Sequence, residues 1–141
     1  MNNTHDDTAR YPLSEHEPER IHSRTGVPFA EITLDAVRAG RIESGDLTID
    51  KDTLRRQAAI AAQAGYRQLS GNLQRAAELV EIPDERLLRV YEALRPGRST
   101  YQELLALSDE LQAEFGASAN ADLIRQAAEA YRAGGLLREG S

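Results

Sequence analysis

The sequence predicts an all-α protein, a small assembly of about five helices with an extended N-terminal arm. Three observations carry this expectation. Ala and Leu, both strong helix formers, supply most of the apolar content. From residue 31 onward apolar residues recur at helical spacing, with capping residues and glycines at the ends of the runs. No stretch alternates convincingly as a strand, and no segment repeats. On this reading residues 1–30 form the arm and residues 31–141 the helical domain.

The arm is polar, with Pro12 and Pro18 as helix breakers. Its apolar anchors are Tyr11, Pro12, Leu13 and Ile21. Thr33 can N-cap a short helix that carries Leu34, Ala36 and Val37, with Gly40 placed to end it. A loop with isolated apolar residues Ile42, Leu47 and Ile49 leads to Asp50 or Asp52, either of which can cap the next helix. That helix repeats Leu54, Ala58, Ala61 and Ala62 on one face, and Gly65 and Gly71 are expected to interrupt it before a second piece at 72–80.

Pro83 suits a first helical turn, and Asp84 and Glu85 favour the positive end of the helix dipole. Leu87, Leu88, Val90, Tyr91 and Leu94 then make an amphipathic stripe, which Pro96 and Gly97 stop. Thr100 and Glu103 have the spacing of a capping box ahead of Leu104, Leu107, Leu111 and Phe115. Gly116 can close that helix. Ser118 or Asn120 begins the last one, with Leu123, Ala127, Ala130 and Tyr131 expected inward and Gly134 and Gly135 ending it.

A chain of 141 residues is about one domain. Its core material is thin, because Leu, Ile, Val and Phe make up only about a fifth of it. Such a chain can bury more surface against a partner than by itself. The net charge of −6 argues against nucleic acid and against an anionic membrane surface. No apolar run approaches the roughly 20 residues needed to span a bilayer. Residues 1–10 have no apolar core of a secretory signal, and a cytoplasmic setting of bacterial type is expected. Cysteine is absent, which removes disulfides, thiolate catalysis and Cys-ligated metals.

A search for chemistry finds no autonomous catalytic centre. His5, His16 and His22 all lie in the arm and lack the spacing of a zinc motif. Asp50 with Asp52, and Asp84 with Glu85, are explained by capping at helix N-termini. No serine sits in a nucleophile elbow, and the glycines are scattered as punctuation rather than gathered in a phosphate loop. Lys51 is the only lysine, and Arg86, Arg89, Arg95 and Arg98 cluster around one helix and the loop after it. Arginine suits docking on carboxylates. Internal pairing with Glu85 and Glu92 is the competing explanation.

Several stretches, in order, resemble the small (gamma) subunit of propanediol and glycerol dehydratases. They are the run from Asn72 to Leu79, the run from Ile82 to Leu88, and the run from Tyr91 through Pro96 and Gly97 to Thr100, followed by Glu103 to Ala106. Upstream, Tyr11-Pro12-Leu13, Thr25-Gly26 with Pro28, and Ile32-Thr33-Leu34 fall in the expected order; downstream, Ala127 to Tyr131 agrees. The resemblance spans about residues 11–135. It implies a complex of large, medium and small subunits, doubled into a dimer of heterotrimers. The large subunit is a TIM barrel carrying the substrate and the catalytic residues. Adenosylcobalamin sits between large and medium subunits, and 1,2-diols such as propane-1,2-diol and glycerol lose water by a radical route to give aldehydes. The small subunit carries no catalytic residue, cofactor ligand or metal; it packs on the large subunit. Some relatives have a longer low-complexity N-terminal extension linked to microcompartment packaging, whereas only ten residues precede Tyr11 here.

The partner contact is expected at the arm residues Tyr11, Pro12, Leu13 and Ile21 and at the loop residues Arg95, Arg98, Ser99 and Thr100. Two other readings compete. One is a free-standing helical adaptor, which suits the acidic, Ala/Leu-rich composition. The other is a small enzyme using the Asp50 and Asp52 region.

Overall fold

In the computed structural model, described for residues 10–140, the chain is helical. Seven α-helices follow one another: α1 (Leu13–His16), α2 (Leu34–Arg38), α3 (Lys51–Gln63), α4 (Arg67–Leu79), α5 (Asp84–Ala93), α6 (Tyr101–Phe115) and α7 (Ser118–Gly134). Short 3₁₀ turns lie at Pro18–Arg20, Phe29–Glu31 and Ser44–Leu47. Among the described residues there is no strand, only isolated bridges between His22 and Pro28 and between Ser23 and Ile49. The chain divides into two compact units, one ending at Val80 and one beginning at Glu81. The expected boundary at residues 30 and 31 lies inside the first of them.

In the first unit α3 and α4 form a helical hairpin. The Asp50 carboxylate caps α3 by accepting from the Asp52 backbone N–H at 3.0 Å, which decides between the two expected caps. Leu54, Ala58 and Ala61 turn inward from α3 as expected, but Ala62 faces solvent. Gly65, with φ 86°, lets the chain leave α3 in a conformation that a Cβ would strain. Gly71 does not interrupt. It lies within α4, which starts at Arg67, and the side chain of Arg75 packs along it. A single glycine costs a helix only about 1 kcal/mol, and the packing of Ser70 and Ala77 against α3 outweighs that cost. Before the hairpin, Thr33 caps α2 by accepting from Ala36 N–H at 3.2 Å, and Gly40 turns the chain with φ 72°. Residues 10–30 contain α1, and their backbone pairs locally: Ser23 N–H donates to Val27 C=O at 2.9 Å and Phe29 N–H to Ile21 C=O at 2.9 Å.

In the second unit α6 and α7 form the other hairpin around Leu104, Leu111 and Ile124, which are almost wholly buried. The expected capping box is present: Thr100 Oγ1 accepts from Glu103 N–H at 3.2 Å, and the Glu103 carboxylate accepts from Thr100 N–H at 2.8 Å. The inward face of α7 differs from the expected one. It runs through Ala117, Ala121, Ile124 and Ala128, whereas Leu123 and Ala130 are exposed. The helix is rich in small residues, so apolarity alone sets its register weakly.

The stripe on α5 is the larger departure. Leu88 is 67% and Tyr91 60% exposed, and no residue of α5 is buried. Leu87, Val90 and Leu94 are half-buried. Charge ties α5 to α6: Arg86 reaches Glu114 at 2.8 Å and Glu110 at 3.4 Å, and its guanidinium lies 5.6 Å from the centre of the Phe115 ring.

Candidate docking surface

The arm residues meet in one place. Tyr11, Pro12, Leu13 and Ile21 line an open groove of about 350 Å³ in the first unit, with Leu47 and Ile49 on its far side and Thr53 and Gln57 of α3 at its floor. Pro12 sits just before α1 and its carbonyl accepts from Glu15 and His16, which turns the chain so that Leu13 is buried. Tyr11 stays 72% exposed at the rim. Opposite, Arg24 N–H donates to Thr48 C=O at 2.8 Å, which fixes the segment carrying Leu47 and Ile49. Glu17 pairs with Arg56 of α3, tying the arm to the helix. The result is an open groove with a mainly apolar lining.

The loop residues belong to the second unit, between α5 and α6, and their roles differ. Ser99 is buried, and its hydroxyl donates to Ala93 C=O at 2.8 Å, closing the loop from within. Thr100 is the cap of α6. Arg95 and Arg98 point outward and share one carboxylate, Glu92, at 3.0 and 3.4 Å. Two guanidiniums on one carboxylate leave a net positive local charge. At more than half exposure each such pair contributes little to stability, so the arginines can be re-paired by a partner at small cost.

Elsewhere the ionisable groups are explained by structure. Asp52 pairs with Arg55 at 3.2 Å. The Asp46 carboxylate is held below the usual range by the Thr25 hydroxyl and the Glu43 backbone N–H. The Thr100 N–H, and Arg138 beyond it, hold Glu103 below its ordinary value of 4.5. A carboxylate whose folded value is depressed contributes stability that is full above the ordinary value and is lost as pH falls through the folded one. The capping box should therefore weaken on acidification below about pH 4.5. A pH series of thermal melts should show that extra acid sensitivity in the wild type and a smaller one in Glu103→Gln; equal slopes would contradict it. Among the described residues no group of three or more His, Asp or Glu could hold a metal ion. His16 and His22 are exposed, and His5 lies outside the described residues.

Residues 7–138 match the family model described as dehydratase small subunit. The chain belongs to that family. Two curated relatives named propanediol dehydratase small subunit are similar along most of its length. The one from Salmonella typhimurium is 42% identical over 121 residues, 86% of this chain and 70% of the relative. The one from Citrobacter freundii is 41% identical over the same shares. The resemblance read from the ordered motifs is thereby shown, and membership of the small-subunit family is favoured over a free-standing adaptor.

Twelve large apolar side chains are exposed among the described residues, including Leu47 and Ile49 in the groove and Leu88 and Tyr91 on α5. The groove brings the expected arm residues Tyr11, Pro12, Leu13 and Ile21 together with Ile32, Leu47, Ile49, Thr53 and Gln57, which the sequence did not group with them. Leu47 and Ile49 carried a signal, as isolated apolar residues in a loop with no helical face to join. No helix among the described residues is long and apolar enough to cross a membrane.

Proposed function

We propose that this chain is the small, non-catalytic structural subunit of an adenosylcobalamin-dependent diol or glycerol dehydratase, converting propane-1,2-diol or glycerol to an aldehyde on its large subunit. The observation that carries the reading is 42% identity, across 86% of the chain, to a propanediol dehydratase small subunit. The partners are the large TIM-barrel and the medium subunit, in a dimer of heterotrimers, in the cytoplasm or inside a bacterial microcompartment. Adenosylcobalamin belongs to those partners. This chain's contribution is to bury its exposed apolar residues against the large subunit, through the Tyr11, Pro12, Leu13 and Ile21 groove and the loop bearing Arg95, Arg98, Ser99 and Thr100.

The test is turnover of propane-1,2-diol by large and medium subunits with adenosylcobalamin, with and without this chain. Restored turnover or a stable ternary complex is the expected result. An inert, unbound chain returns the adaptor reading to first place, and turnover by the chain alone ends both. Within the complex, Arg98→Glu should weaken association roughly tenfold or more, since it reverses a charge facing carboxylates and sets it beside Glu92. Unchanged co-purification would remove the loop from the interface.

A further inference from the structure

The loop that carries Arg95 and Arg98 is closed from within by the Ser99 hydroxyl on Ala93 C=O and by Arg98 N–H on Arg95 C=O at 3.1 Å, and it is also held from outside. Three further hydrogen bonds to it come from the end of α7 and the residues after it. The Tyr131 hydroxyl donates to Leu94 C=O at 2.6 Å. Gly97 N–H donates to Leu136 C=O at 2.8 Å. Arg138 N–H donates to Ser99 C=O at 2.9 Å, while its guanidinium pairs with Glu103 of the capping box. The chain reaches these positions because Gly135, at φ 67°, reverses it after α7 and Leu136 N–H returns to Tyr131 C=O at 2.9 Å.

We infer that the tail Leu136–Arg138 is a clasp that preorganises the Arg95–Thr100 loop for docking, and does so through backbone groups rather than side chains. Two of the tail's contacts to the loop use main-chain atoms on both sides, so they specify position without demanding residue identity. The clasp bears on Gly97, which sits at φ 76° and costs conformational entropy to order. Ordering the loop before the partner arrives lowers the entropy lost on binding. The docking half of this inference rests on the subunit reading above; the clasp itself does not.

The decisive experiment compares the full chain with a variant ending at Gly135. Amide hydrogen exchange at Gly97 should speed up roughly five- to tenfold, the effect of losing one or two net hydrogen bonds. The amides of Leu107 and Leu111 in α6 should not change. Gly135→Val, which keeps the tail but strains the turn that aims it, should act in the same direction. Leu136→Ala should leave Gly97 protected, because the acceptor is a carbonyl. In the reconstituted complex the shortened chain should dissociate about fivefold faster. Unchanged exchange at Gly97 overturns the clasp, and equal losses in α6 show that the tail is a general part of the fold. Normal dissociation with a released loop overturns the docking half. Failure of the wild-type chain to enter the complex counts against the subunit reading, while Gly97 exchange still decides the clasp.

Discussion

Leu104→Ala is expected to destabilise the second unit by about 2–5 kcal/mol. Leu104 is 0% exposed in the α6–α7 hairpin, next in sequence to Glu103 of the capping box that starts α6. The core of this unit also holds Leu111, at 1%, and Ile124, at 2%, and the other fully buried positions of α7 are Ala121 and Ala128, too small to fill a vacated space. The loss is therefore the transfer term of the removed carbons plus a cavity that cannot collapse. Urea unfolding followed through α6 should show a lower midpoint at unchanged slope. Leu88→Ala is the control. The amphipathic stripe on α5 predicts a core residue there, but Leu88 is 67% exposed, so the isolated chain should change by no more than about 0.5 kcal/mol. A loss at Leu88 as large as that at Leu104 would mean that Leu88 is covered within this chain.

The pair also shows what a sequence of this kind discloses. Local chemistry was legible: Thr33, Asp50 and the Thr100–Glu103 box cap helices as their spacing predicts, and Gly40, Gly65 and Gly116 turn the chain with positive φ. Each of these depends on residues within a few positions of one another. Periodicity found α5 as an amphipathic helix, but a stripe announces only that something apolar must cover it, not whether the cover is this chain or another. In α7 the inward face differs from the expected one because Ala127, Ala128 and Ala130 are the same residue on different faces and so set no register. The packing of Ala117, Ala121 and Ile124 sets it instead. Half of the candidate surface was legible as arm anchors. Its other wall is drawn from residues 47–57, which only folding brings near Tyr11. The clasp on the loop was not legible at all, because its main-chain contacts leave no side-chain signature.

Ala58→Leu should cost about 1–3 kcal/mol, read as a lower melting temperature of the first unit. The α3–α4 hairpin has a seam of small residues: Ala58 and Ala77 are each 1% exposed, and Ala61 and Ser70 are each 5% exposed. Small side chains let two helices approach closely, so there is no space for three further carbons without an off-rotamer side chain or a backbone shift. Leucine and alanine are both good helix formers, so propensity cannot account for the loss. Ala59→Leu, one residue along on the exposed face, isolates the packing term and should stay within about 0.5 kcal/mol. The seam also explains how a chain with few large apolar residues folds its first unit. It replaces bulk with proximity, and it leaves Leu47 and Ile49 outside the hairpin, where they face the groove. A tolerated Ala58→Leu would mean that α3 and α4 stand further apart than their buried alanines require, and the groove they support would lose its rigid floor.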